Sequence, residues 1–279
     1  MRFASVAVAA LLLAILPACG RSSRGSPATS VARTTRRDIG ANVSVWGDSL
    51  TVQAGPALEA EGRARGIDVQ VHAYFGLAPC DVTTGVLADV RSGIDAIVFD
   101  FSGNNLTPCM TRDGARLQGD AYYDTYRRDV GRLVSAARAQ AVPVVVVGPP
   151  VFPDAQNRPD RVRLRSVLHG VADALGARYV ESAPALGLRT FTRTLPCLPD
   201  ETAALGCAHG RITVRSGNGI HFDQPHRVPC ANEEPTSCTY SAGSHRFADV
   251  VLDALARIAS LHVAAALPGS GVPIVVAAS

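Results

Sequence analysis

The chain has 279 residues, of which 47% are hydrophobic, 18% charged and only 5% aromatic. That is enough apolar material for one large domain, and it excludes a wholly disordered or coiled-coil chain. A formal net charge of +3 is too small to hold nucleic acid by bulk electrostatics, and all 27 basic residues are arginine.

Residues 1–18 read as an export signal: Arg2 gives a positive start, and Val6 to Leu16 form an apolar run of signal-peptide length, too short to span a bilayer alone. The run ends in Leu16-Pro17-Ala18-Cys19, which resembles the cleavage site of bacterial lipoproteins. Cys19 is then the expected lipid-bearing first residue of the mature chain, held on the outer face of the bacterial cell membrane. Ordinary cleavage and secretion is the alternative. The lipid is the only membrane contact expected. Residues 19–38 are polar and aperiodic, a flexible tether.

The chain has 7 cysteines, and Cys19 leaves six: Cys80, Cys109, Cys197, Cys207, Cys230 and Cys238. In an oxidising compartment six cysteines suggest three disulfides, for which fifteen pairings are formally open. No C-x-x-C spacing and no paired histidines accompany them, so neither a metal nor a cofactor is expected.

From Asn42 strand and helix alternate. Val43 to Trp46 is a short strand; residues 50–65 read as a helix, with Pro56 in or near its first turn and Gly66 as its stop. Ile67 to Tyr74 is a strand, Val82 to Arg91 a helix, and Ala96 to Phe101 an apolar strand suited to burial on both faces. Ala121 to Ala141 has helical periodicity, Pro143 to Gly148 is the clearest core strand, Arg161 to Leu175 a helix and Arg178 to Val180 a strand. Tyr240 to Leu261 is the closing helix. The pattern predicts an α/β fold, a sandwich around a mostly parallel sheet, over residues 39–265. Residues 191–213 and 224–239, rich in Pro, Cys and Gly, read as insertions, and 266–279 as a C-terminal tail.

Parallel sheets place their sites at the carboxyl ends of strands. The first strand runs into Gly47-Asp48-Ser49-Leu50, the second into Tyr74-Phe75-Gly76-Leu77 and the third into Ser102-Gly103-Asn104-Asn105; Ser216-Gly217-Asn218-Gly219-Ile220-His221 precedes the last helix. Each has a bland reading alone: a helix cap, turn residues, a structural histidine. The G-x-S-x-G elbow, H-E-x-x-H and a strand-borne G-x-G-x-x-G are all absent.

Together and in this order the four blocks resemble the GDSL/SGNH hydrolase family, over about residues 42–262. The resemblance implies a flavodoxin-like three-layer α/β/α sandwich and an esterase that hydrolyses O-acyl esters through an acyl-enzyme. It implies Ser49 as nucleophile, His221 as general base, and an oxyanion hole of the Ser49 and Gly76 backbone N–H groups with the Asn104 side chain. Two departures matter. The third block usually reads Gly-x-Asn-Asp; matching strand ends selects Asn104, while matching on Gly103 selects Asn105. The fourth usually reads Asp-x-x-His, and here Asn218 stands in the place of the acid. Asn218 is expected to offer its carbonyl to orient the imidazole, with Asp223 as another source of charge.

The family's sheet places the second and third strands beside the first, so a Cys80–Cys109 bridge is expected to pin the two oxyanion loops. Cys197–Cys207 and Cys230–Cys238 would close the two insertions, the second of which forms one wall of the cleft. The expected substrate is a small-molecule or polymer-borne ester, and the expected state a monomer. An O-acyltransferase on envelope polymers using the same residues, or a noncatalytic binding protein retaining the fold, are the competing readings.

Overall fold

Valine-rich segments that are apolar at every position have no solvent face, and they form the centre of the molecule. A computed structural model describes residues 41–153, 158–187, 190–229 and 237–265. In chain order they form β1 (Ala41–Gly47), α1 (Ser49–Ala64), β2 (Ile67–Ala73), α2 (Thr83–Ser92), β3 (Ala96–Asp100), the small hairpin β4 (Thr111–Arg112) and β5 (Ala115–Arg116), and α3 (Gly119–Ala139). Then come β6 (Val144–Gly148), α4 (Arg158–Leu175), β7 (Arg178–Glu181), α5 (Ala183–Leu186), β8 (Thr194–Pro196), α6 (Pro199–Leu205) and β9 (Arg211–Thr213). The last are β10 (His226–Pro229), β11 (Ser237–Tyr240) and α7 (Ala242–Ala265).

Five strands pair in the order β2-β1-β3-β6-β7, all parallel. This is the flavodoxin-like order, whose direction of winding reverses between β1 and β3 and opens a crevice at their carboxyl ends. β3 and β6 are buried at every position. Their side chains alternate between two cores as the pleat demands. Ile97, Phe99, Val144 and Val146 face the core that holds Val86, Tyr126, Val130 and Leu164 from α2, α3 and α4. Val98, Val145 and Val147 face Leu58 of α1 and Phe247, Val251 and Leu252 of α7. The three layers follow from that alternation.

Local departures from the sequence reading have local causes. Asp48 caps α1, so the helix begins at Ser49 and Pro56 falls in its interior rather than its first turn. Tyr240 ends β11 instead of opening the last helix, because Ala242 and Gly243 donate their N–H groups to the buried Asp223 carboxylate.

The first insertion is a β8–β9 hairpin enclosing α6, with Cys197 and Cys207 disulfide-bonded at a Cα separation of 6.3 Å. A buried ion pair from Arg246 to Glu201, at 2.5 Å, fastens it to α7. In the second insertion β10 and β11 pair antiparallel. The expected Cys230–Cys238 bridge involves Cys230, outside the described residues. The expected signal, Cys19, the tether and the C-terminal tail also lie outside them. Among the described residues no helix is long and apolar enough to cross a membrane.

Candidate active site

Strand register brings the first three blocks to one edge. Gly47, the last residue of β1, pairs with Ala73 of β2 on one side and Asp100 of β3 on the other. Ser49, Gly76 and Asn104 follow those three residues by two, three and four positions. Gly47 must be glycine: a Cβ there would lie 1.9 Å from Thr51 Oγ1 and 2.6 Å from the Asp100 carbonyl. The close approach lets the chain turn directly from β1 into α1, leaving Ser49 as the first residue of a 16-residue helix. The unpaired N–H groups and dipole of such an end favour negative charge.

Asp48, fully buried, organises the turn. Its Oδ1 accepts from the Leu50 N–H at 3.1 Å as an N-cap. Its Oδ2 accepts from the Ser102 N–H and hydroxyl, both at 2.7 Å, and from Asn104 Nδ2 at 2.8 Å. One carboxylate therefore fixes the start of the Ser49 helix to the loop that carries Ser102 and Asn104. Burial raises the Asp48 pKa, and the bonds from Ser102 and Leu50 oppose the rise. Beside it Asp100, also buried, receives the Thr51 hydroxyl on Oδ2 at 2.6 Å, while its Oδ1 has no hydrogen-bond partner among the described residues. Burial first and the Asp48 charge second push Asp100 up to about 8.

The two asparagines of the third block separate cleanly. Asn104 is held at both ends, its amide on Asp48 and its carbonyl receiving the Tyr126 hydroxyl at 2.8 Å. Asn105 instead donates to the Leu117 carbonyl at 3.2 Å. Between β3 and this pair, Gly103 takes φ +103°, and a Cβ there would overlap the Arg161 guanidinium and the Tyr122 hydroxyl. Arg161 donates to the Ser102 carbonyl and lies over the Phe152 ring. A cleft of about 320 Å³ adjoins the loop, lined by Gly103, Asn105, Gln118, Tyr122, Tyr123 and Arg161 among others.

His221 arrives from 172 residues away, and its Nε2 stands 3.0 Å from Ser49 Oγ. Its loop is tied down on both sides. Phe222 donates its N–H to Gln53 of α1 at 3.0 Å and packs its ring against Phe247 of α7 at 5.4 Å. Arg215, almost wholly buried, donates to the carbonyls of Gly219 and Ile220 at 2.7 and 2.8 Å. Burial lowers Arg215 to about 10. Burial also lowers His221; the Asp48 charge raises it and Arg215 lowers it further.

Asn218 lies beside His221, but not as a carbonyl acceptor. Its Nδ2 stands 3.0 Å from His221 Nδ1, while its Oδ1 accepts from Ser216 Oγ and the Ile220 and His221 N–H groups at 2.6, 2.9 and 3.2 Å. Asp223 is not at the ring either. Its oxygens accept from the Ser241 hydroxyl and the Ala242 and Gly243 N–H groups at 2.8–3.1 Å, where it caps α7. A buried carboxylate committed to three donors has no reason to reach the imidazole. The roles of Asp48, Arg161 and Arg215 were not anticipated from the sequence; only the Asp at the helix cap carried a local signal.

Cys80 and Cys109 form a disulfide at a Cα separation of 6.2 Å, joining the turns Pro79–Asp81 and Pro108–Met110. These follow the loops that carry Gly76 and Asn104. Cys80, Asp81 and Cys109 bring three ligand-type atoms together, but the two sulfurs are bonded to each other and make a poor metal site.

The family described as "Protein of unknown function (DUF459)" matches residues 42–226. No curated protein matches. Among solved structures, a GDSL-like lipase from Bacteroides thetaiotaomicron is similar at a TM-score of 0.50 and 10% identity, over 78% of this chain and 89% of that one. An α/β hydrolase enzyme from the metagenome of Lake Arreo, Spain, is similar at 0.50 and 14% identity, over 78% and 95%. At such identities the likeness is one of fold.

Proposed function

Since the chain belongs to the DUF459 family, which is of the GDSL/SGNH type, we propose that it is a serine-dependent hydrolase of carboxylic esters. The observation that carries the reading is the 3.0 Å contact between Ser49 Oγ, at the start of α1, and His221 Nε2. Ser49 Oγ adds to the ester carbonyl as His221 removes its proton, and His221 returns that proton to the departing alcohol. Water, deprotonated by the same imidazole, then releases the acid from the serine. The Ser49 and Gly76 N–H groups and the second amide hydrogen of Asn104, whose first is held by Asp48, would stabilise the oxyanion of each tetrahedral intermediate.

The rim of the site supports an ester with an apolar part. Six large hydrophobic residues are strongly exposed among the described residues, and four are Tyr74, Phe75, Leu106 and Ile220. They lie on the same three loops as Gly76, Asn104 and His221. Large apolar side chains left exposed on the loops of one site are the kind of surface that binds an apolar group. The same reading keeps the protein outside the cell, anchored by lipid on Cys19; its support is the apolar run and the cysteine that follows it.

Hydrolysis of p-nitrophenyl esters with short and medium acyl chains tests the proposal. Wild-type protein prepared under oxidising conditions is expected to turn these over, and Ser49→Ala to lose roughly 10²-fold or more in kcat/KM. Equal, slow release by both proteins rejects it. Labelling of Ser49 by a fluorophosphonate gives a second, independent reading of nucleophilicity.

A further inference from the structure

The amide of Asn218 is oriented unambiguously. Two backbone N–H groups, Ile220 and His221, point at its Oδ1 at 2.9 and 3.2 Å, and the Ser216 hydroxyl adds a third donor at 2.6 Å. Exchanging oxygen and nitrogen would set an NH2 group against two obligatory donors. The group facing His221 Nδ1 at 3.0 Å is therefore Nδ2, which has hydrogens and no lone pair to offer. Nδ1 must accept. In a neutral imidazole the proton then sits on Nε2, directed at Ser49 Oγ at 3.0 Å.

We propose that Asn218 is a positioning residue that holds neutral His221 in its Nε2–H tautomer, so that Ser49 accepts from the ring and turnover waits on rotation of the amide. The inference rests on the ester-hydrolase reading only for its effect on rate; the tautomer follows from the hydrogen bonds alone. A base must present a bare Nε2, which requires the proton on Nδ1, facing the Asn218 N–H. The imidazolium formed after proton transfer meets the same opposition. Asp48, whose charge favours the imidazolium, and Arg215, whose charge disfavours it, are the charged groups that act on the ring. An aspartate at 218 keeps one oxygen on the Ile220 and His221 N–H groups and offers the other to Nδ1–H. It preserves the turn and reverses the tautomer.

The test is nitrogen-15 NMR of the histidine ring in the full protein, paired with kinetics of Asn218→Asp. Wild-type His221 is expected to show a bare Nδ1 and a protonated Nε2 above its pKa. Asn218→Asp is expected to show the opposite tautomer, a raised His221 pKa with the acid limb of the rate profile moved up accordingly, and kcat/KM increased on the order of 10²-fold or more. Peptide mass mapping of the wild type must show residue 218 still an amide, because the Asn218-Gly219 pair is prone to deamidation, which would itself produce the aspartate. A protonated Nδ1 in the wild type overturns the proposal, as does a variant whose tautomer and pH profile are unchanged. If the tautomer reverses and neither protein cleaves esters, the hydrolase reading fails and the role of Asn218 stands.

Discussion

At the scale of single residues, the site depends most on a side chain that takes no part in the chemistry. Asp48 collects four donors from two segments, and three of them, two on Ser102 and one on Asn104, lie 54 and 56 residues further along the chain. It also decides between the neighbouring asparagines, since only Asn104 is held against it. Asn104→Ala is expected to lower kcat roughly 10²-fold or more, as loss of one oxyanion donor does. Asn105→Ala, which gives up a bond to the Leu117 carbonyl, is expected to change kcat little; steady-state kinetics of the two variants decide the assignment. Ser49, Gly76, Asn104 and His221 were legible because each stands at a strand end or before a helix, where local pattern and chain order coincide. The partners of Asp48, Arg215 and Asp223 were not. A buried charge is defined by donors and carbonyls far away in sequence, so Asp223 reads as a source of charge for His221 until Ser241, Ala242 and Gly243 are seen on its oxygens.

Among elements, the two loops that flank β1 need help, because neither belongs to a helix or strand. The Cys80–Cys109 bridge supplies it by closing a segment of 29 residues between them. By chain entropy such a loop stabilises the fold by about 3.6 kcal/mol. The paired change Cys80→Ser and Cys109→Ser is expected to lower unfolding free energy by that order in urea titrations. It is also expected to lower kcat more than a change at Cys197 and Cys207 does, since that bridge closes a hairpin carrying none of the proposed catalytic groups. The parallel sheet was readable from the hydrophobic runs, β3 and β6 above all, because strands buried on both faces admit no other composition. The insertions were readable only as interruptions. The first is held by a disulfide and by the Arg246–Glu201 pair, and neither leaves a periodic mark on the sequence.

For the whole molecule, burying Asp48 and Asp100 side by side next to Ser49 makes stability depend on pH. Asp100 has an ordinary value of 3.8 and is pushed up to about 8, so the folded state binds a proton that the unfolded state releases. Stability from this group is therefore full below about pH 4 and declines as pH rises towards 8. Asp100→Asn keeps an acceptor for the Thr51 hydroxyl and removes the titration. Urea midpoints at pH 5 and pH 8 are expected to differ less in the variant than in the wild type, with the variant gaining relative to wild type at the higher pH. The order in which the parts are made has its own consequence. Ser49, Asp48, Gly76 and Asn104 all precede residue 105 in the chain, but the His221 loop is clamped by Phe222 on Phe247 of the last helix. A chain emerging from its amino end carries Ser49 without a seated His221 until that helix docks. On the proposed hydrolase reading, half-made or truncated copies lack a seated base and do not cleave the esters they meet before the fold is finished.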